Sequence, residues 1–426
     1  MDKILNRICC IDNHPVSKLD KGFRMIYVQG LGACLYATSG NSPITKMLYM
    51  PWAESIIGNT DNLANYWTEN TSVIKSAISL RRKGFSLFSM KYSFFYDVFY
   101  LLEQSFLPGY KIVNTYKYLK ENICGFMTKG ALEKVYLYWT ANGPKPKAID
   151  NAVVAHKQTN ESIFSKREKK ILVVANVSAG KSTLINSLVG CRMNRTKTTA
   201  CTNRLVSLHN KCIKDGLTHK NPNGSYSYFQ KINEVNRDDI HEIAFPFNSS
   251  LNKEQICFID TPGINNSENS SHRRITENVI IKGDYDAIMY VSNSQYFGTN
   301  DENNLLKLLK AKVNKPIIFV LNQLDNFIPE EDSIAKMMND YKSDLLRIGF
   351  NNPIIVPVSA YAACLFRFGA DELTNTEKRK FKTLNEIFDN EYYDFPKYIE
   401  EGKSKNKLSM TGIISLENKL ITISRC

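Results

Sequence analysis

Short apolar runs alternate with helical periods over residues 168–366. The runs Lys170–Ala175, Asn203–Leu208, Gln255–Asp260, Ala287–Ser292, Pro316–Leu321 and Ile354–Val358 are each bounded by polar or turn residues and predict strands. Strands that alternate with helices predict an α/β domain, a mostly parallel sheet covered by helices on both faces. Between the last two strands, Ile334, Met338, Tyr341, Leu345 and Ile348 keep helical spacing. Asp332 or Ser333 is placed to cap that helix and Gly349 to end it. Before residue 168 the signal is helical: Phe88, Tyr92, Phe95, Phe99, Leu102 and Phe106 recur on one helical face, and Pro108-Gly109 ends the run. A core helix is the favoured reading. A membrane-facing or partner-facing stripe is the alternative, because Arg81-Arg82-Lys83 stands just ahead of it. Gly143–Lys147 reads as a linker, 158–170 as a polar approach to the next domain, and 411–424 as a closing amphipathic helix. The expected division is a mainly helical region over 1–167 and an α/β domain over 168–426 that carries a long insertion at 204–254.

Composition narrows the partners. The 426 residues are 43% hydrophobic and 23% charged, values of a folded chain with more than one domain and not of a disordered one. The net charge is +13. Residues 1–167 hold 21 Lys and Arg against 12 Asp and Glu, so +9 of the excess lies there, which favours anionic partners. The ten cysteines are scattered without a C-x-x-C pair, which predicts reduced thiols and no clustered metal ligands. His209, His219, His241 and His272 fall in or near polar loops and receive no chemistry. No secretory signal opens the chain and no stretch of about 20 residues is free of charge, so the expected location is cytoplasmic, at most peripheral to a membrane.

One segment carries chemistry of its own. The strand Ile171–Val174 runs into Ala175-Asn176-Val177-Ser178-Ala179-Gly180-Lys181-Ser182-Thr183 and then into the helical Leu184-Ile185-Asn186-Ser187-Leu188. This is the order of a Walker A phosphate loop. Backbone N–H groups turn toward a polyphosphate at a helix N-terminus, Lys181 adds a point charge, and the Ser182 hydroxyl is a ligand for Mg²⁺. Ala175 stands where the strict pattern has glycine. Downstream, Asp260-Thr261-Pro262-Gly263 follows one strand, with Asp260 placed to hold Mg²⁺ through water and Gly263 to meet a γ-phosphate. Asn322-Gln323-Leu324-Asp325 follows another, where Asp325 is able to accept two hydrogen bonds from guanine; Ser359-Ala360 ends the next and offers a backbone N–H to the guanine carbonyl. All four lie at the C-terminal ends of predicted strands, where open α/β sheets bind ligands.

On these motifs the segment resembles the GTPase domain of the dynamin family, bacterial dynamin-like proteins in particular. Ser178–Ser182 is similar to that family's phosphate loop and Thr198–Asn203 to its first switch. The 57 residues between Thr202 and Asp260 are more than a minimal GTPase needs. The resemblance implies Mg²⁺-dependent GTP hydrolysis, with Lys181 on the phosphates, Ser182 and Thr202 on the metal, Gly263 sensing the γ-phosphate and Ser178 placing a charge-compensating cation. It also implies self-association through GTPase domains. Thr199 is the nearest alternative to Thr202. Val177 occupies the place of a water-positioning glutamine in animal dynamins and Gln323 that of a lysine whose stem covers the base, which implies slow unaided hydrolysis and weaker guanine affinity. Arg192, Arg195 and Lys197 are read as solvated loop charges before a catalytic finger. An acidic membrane surface or a partner protein is the expected docking target of 1–167. Two rival readings are an Era-like GTPase that binds RNA or ribosomes, and a weakly hydrolysing nucleotide switch or scaffold in a multi-protein system.

Overall fold

The computed structural model describes every residue except 1–3, 8, 12, 59–62, 81–89, 106–110, 177, 194–204, 237–239, 263–269, 370–371 and 426. Its strands are β1 (Lys169–Ala175), β2 (Val206–Asn210), β3 (Leu217–Lys220), β4 (Tyr226–Phe229), β5 (Glu242–Phe245), β6 (Ile256–Asp260), β7 (Ala287–Asn293), β8 (Ile317–Asn322) and β9 (Ile354–Val358). The chain forms two compact units, Met1–Lys166 with Asp215–Glu234, and Arg167–Lys214 with Val235–Cys426. The 204–254 insertion is therefore shared. Its hairpin, β3 paired antiparallel with β4, packs with the N-terminal unit, where Tyr226 and Tyr228 join the hydrophobic core.

Helices build the rest of the N-terminal unit. At its centre lies helix Lys91–Gln104, in which Phe94, Phe95, Val98, Phe99 and Leu102 are all fully buried. A helix buried on nearly every side belongs in a core and not at a surface, so the core reading of the aromatic run holds for its described residues. Phe88, Phe106 and Arg81–Lys83 lie outside the described residues. A buried carboxylate ties parts of this core together. Asp97 Oδ2 accepts hydrogen bonds from Tyr27 Oη at 2.8 Å, Trp52 Nε1 at 3.3 Å and His14 Nε2 at 3.0 Å, linking three further segments to the helix. Where the sequence suggested a polar approach from 158, the chain continues as helix Asn151–Ser165, because Val153, Asn160 and Ile163 all turn inward.

That helix carries a histidine held in one tautomer. Asn160 Nδ2 donates to Tyr100 Oη at 2.7 Å, so the tyrosine hydroxyl donates onward to His156 Nδ1 at 2.9 Å. His156 Nε2–H then donates to the Cys10 carbonyl at 2.9 Å. Burial pushes the His156 pKa down to about 4, with the Cys10 carbonyl and Asp215 opposing it and Arg7 assisting. Between about pH 6.5 and 4 the unfolded chain takes up a proton at this residue that the folded chain refuses. Stability from His156 is therefore complete above pH 6.5 and falls as pH drops toward 4, by about 3 kcal/mol. Urea unfolding across that window, compared with His156→Asn, will show the extra slope in the wild type alone.

The second unit is built on a sheet whose neighbouring strands run β5-β2-β6-β1-β7-β8-β9. Strands β6, β1, β7, β8 and β9 are mutually parallel, and β2 pairs antiparallel with β6 and parallel with β5. In β1, Ile171, Leu172, Val173, Val174 and Ala175 are all fully buried, so both faces of the sheet are covered. Helix Ile334–Ile348 starts on the Ser333 cap, whose hydroxyl accepts from Lys336 N–H, and ends at Gly349 with φ +104°. The closing helix runs Ile413–Arg425 and is anchored by the buried Glu417, which pairs with Arg367 at 2.6 Å and accepts from Ser250. Strand β5 and helix Asn375–Ile387, a capping-box helix on Thr374 and Glu377, were not among the expected elements.

Candidate nucleotide-binding site

Strand β1 ends at Ala175 and the loop from Asn176 turns into helix Lys181–Val189. Two residues set the turn: Ser178 at φ +63° and Gly180 at φ +83°. A Cβ on Gly180 would stand 2.4 Å from Asn322 Nδ2, so this position admits only glycine on grounds of both backbone and space. The helix N-terminal N–H groups and the Lys181 side chain are thus brought together at the end of β1. Lys181 is 8% exposed and pairs with Asp260, fully buried at the end of β6. Ser182 and Thr183, on the first turn of the helix, are half-buried. Thr261 Oγ1 donates to the Val173 carbonyl at 2.8 Å and fastens the β6 end to β1.

The other end of the site is made by the segments after β8 and β9. Asp325 is half-buried in a single 3-10 turn, Leu324–Asn326. Burial raises its carboxyl above the ordinary aspartate value, and a hydrogen bond with the Ser359 side chain and one to its own backbone oppose that rise. The Ser359 N–H donates to the Thr411 carbonyl and the Ala360 N–H to Asn322 Oδ1, both at 3.0 Å. The backbone donors that the sequence suggested for the guanine carbonyl are engaged within the protein here. Asn322, buried, joins the two ends: Nδ2 donates to the Ala179 carbonyl at 2.9 Å and Oδ1 accepts from Ala360. Gln323 Nε2 donates to the Ser178 carbonyl at 2.7 Å, and Asn293 Nδ2 reaches the same oxygen at 3.4 Å.

Comparison with known proteins agrees with this geometry. Residues 171–324 match the model of the dynamin family. By that match the segment is a P-loop GTPase domain similar to those of the dynamin family. GTPase Era of Haemophilus influenzae is 26% identical over 194 residues, 45% of this chain and 48% of that protein. An uncharacterized protein in the xynA 3′ region of Caldicellulosiruptor sp. is 27% identical over 278 residues, 61% of this chain and 66% of that one. The chain spans about half the length of the Era relatives it matches. Among solved structures, Toc33 from Arabidopsis thaliana in complex with Mg²⁺ and GMPPNP has a TM-score of 0.35, with 13% identity over 63% of this chain and 92% of that one.

Asn176, Ser178, Ala179, Gly180, Lys181, Ser182, Thr183, Asp260, Asn322, Gln323, Asp325, Ser359 and Ala360 come together at the C-terminal ends of β1, β6, β8 and β9, the last three beyond the matched segment. Val177, Thr199, Thr202, Gly263, Arg195 and Lys197 lie outside the described residues. Arg192 is neither a solvated charge nor a free finger. Its guanidinium makes a two-pronged pair with Glu377 at 2.7 and 2.9 Å and lies over the Phe368 ring. Asn293 joins the site residues from the end of β7. Asn322, read from sequence as part of the base-recognition segment, is placed here as a clasp between phosphate loop and base loop. Asn322→Ala removes two buried hydrogen bonds and leaves the Ala179 carbonyl and Ala360 N–H without that partner, an expected loss of about 2 kcal/mol, or about 30-fold, in nucleotide affinity. Equilibrium binding of a fluorescent GTP analogue measures it.

Proposed function

We propose that this protein binds and hydrolyses GTP and uses the cycle as a conformational or pairing switch. The observation that carries the reading is the convergence, on one sheet edge, of the Lys181 and Asp260 pair with the Asp325 and Ser359 pair, joined by Asn322. One end presents a cation and helix N–H groups suited to phosphates. The other presents an acceptor suited to the guanine N–H groups. The dynamin-family match supports the reading, as do the Era relatives. The Ser182 hydroxyl and the Asp260 carboxylate are hard oxygen donors, which fits Mg²⁺. Bound there, Mg²⁺ would neutralise charge on the phosphates. With nucleotide bound, Lys181 would exchange its Asp260 partner for phosphate oxygens, Ser182 would hold the metal, and Asp325 would orient the base. Thr202 and Gly263 complete the site as the switch groups that nucleotide orders and hydrolysis releases. Ser178, in the phosphate loop, is the residue that places a compensating cation.

Pairing of two such domains across the nucleotide is the proposed route to full activity. Turnover per molecule will rise over a hundredfold range of protein concentration, measured as phosphate release with and without vesicles of acidic lipid; a constant rate removes the pairing. GTP hydrolysed no faster than ATP removes the GTPase reading itself. For residues 1–167, the basic excess supports docking to an acidic membrane surface or a partner protein. No helix among the described residues is long and apolar enough to cross a membrane. The second reading, an Era-like GTPase that binds RNA or ribosomes, predicts salt-sensitive co-purification with ribosomes.

A further inference from the structure

Four neighbouring strands bring a histidine, a cysteine and two carboxylates to one face of the sheet, toward the end away from the nucleotide site. His209 on β2 lies directly opposite Cys257 on β6. Glu242 on β5 is in register with Ser207, one side chain along the same face of β2. Glu168 immediately precedes β1, on the face that Lys170 shares with Cys257. Cys257 is three residues before Asp260, about 10 Å along β6 from the phosphate end. His209, Cys257 and Glu168 are buried, and one ligand atom from each lies within 4.8 Å of the others.

The contacts divide into two kinds. His209 Nδ1 is 2.8 Å from Glu168 Oε1, a normal hydrogen bond that fixes the ring and leaves Nε2 to face the opposite way. From Nε2 the Cys257 sulfur is 3.8 Å and the Glu242 Oε1 is 3.5 Å distant. Those separations are close to the edges of a tetrahedron around zinc, about 3.6 Å for N to S and about 3.3 Å for N to O, given metal distances of about 2.3 Å to sulfur and about 2.0 Å to nitrogen or oxygen. A carboxylate on the far nitrogen of a ligating histidine is the usual outer partner of such a site.

We propose that His209 Nε2 and Cys257 Sγ, with Glu242 moving in from β5 as the third donor, form a binding site for a first-row divalent cation, zinc above all, with Glu168 as the carboxylate that orients the imidazole. Thiolate and imidazole donors select zinc over Mg²⁺ or Ca²⁺. Bound there, the ion ties β5, β2 and β6 together on the flanks of the chain's excursion through 215–234, a structural role separate from nucleotide chemistry.

The test uses the full chain, made metal-free with a chelator and titrated with Co²⁺ as the optical probe. The expected result is one equivalent bound with a thiolate-to-cobalt charge-transfer band in the near ultraviolet, and displacement of the cobalt by Zn²⁺. Cys257→Ser abolishes the band, while Cys191→Ser keeps it. Glu242 is part-exposed at 28%, so Glu242→Gln keeps the fold and weakens Co²⁺ at least about 10-fold, the lower bound for loss of an outer-shell partner. Absence of the band in the wild type, its survival in Cys257→Ser, or unchanged affinity in Glu242→Gln overturns the assignment. The readout is the metal's spectrum, so either result is independent of GTP hydrolysis.

Discussion

Asp325→Asn shifts nucleotide preference from guanine to xanthine, with GTP affinity falling about 10²-fold and the XTP to GTP ratio moving by about 10³. An ionised aspartate offers two acceptors to the ring N–H and the exocyclic amine of guanine. An asparagine offers one acceptor and one donor, a set that suits the ring N–H and the oxo group of xanthine. Bonds to a charged acceptor contribute about 1.5–3 kcal/mol each, and a donor set against a donor costs a similar amount. Acidity supplies a second signature. Burial raises the Asp325 carboxyl, and only its ionised form accepts both bonds, so guanine affinity in the wild type falls as pH is lowered through that raised value. The asparagine variant lacks this dependence. Titration calorimetry with GTP, ATP and XTP at several pH values measures both effects, and an unchanged guanine preference in Asp325→Asn refutes the placement of the base.

Lys181→Ala has two expected consequences of different origin. Single-turnover GTP hydrolysis falls about 10³-fold, because a preorganised cation aimed at phosphate charge is lost. The nucleotide-free protein also loses stability, by about 3 kcal/mol, because the buried Asp260 loses its ammonium partner. Asp260→Asn in the same chain removes the unbalanced charge, so the double variant regains most of that stability while remaining inactive. Hydrolysis by Lys181→Ala within tenfold of wild type, in protein shown by urea unfolding to be folded, disproves the role of Lys181. Failure of Asp260→Asn to restore stability disproves the coupling of the two side chains.

What could be read from the chain alone follows the range over which each signal acts. The parallel strands and the helix from 334 to 348 depend on periods within a few residues of each other, and the phosphate loop on a contiguous run ending at Ser182; these were legible and position most of the described site. Pairings between distant strands leave no such trace. His209 and Cys257 are 48 residues apart in sequence and become neighbours only because β2 returns antiparallel beside β6. Arg192 reads as a loop cation until helix Asn375–Ile387 presents Glu377 to it. Asn322 acts through both ends of its amide, and the two backbone groups it joins are 181 residues apart. The hairpin of β3 and β4 carries no mark of the unit it packs with, because Tyr226 and Tyr228 are apolar enough for either core. Local propensity and spacing are properties of the chain itself; which side chain meets which across the sheet is decided by burial of the whole, where a strand's register brings together residues that no short pattern connects.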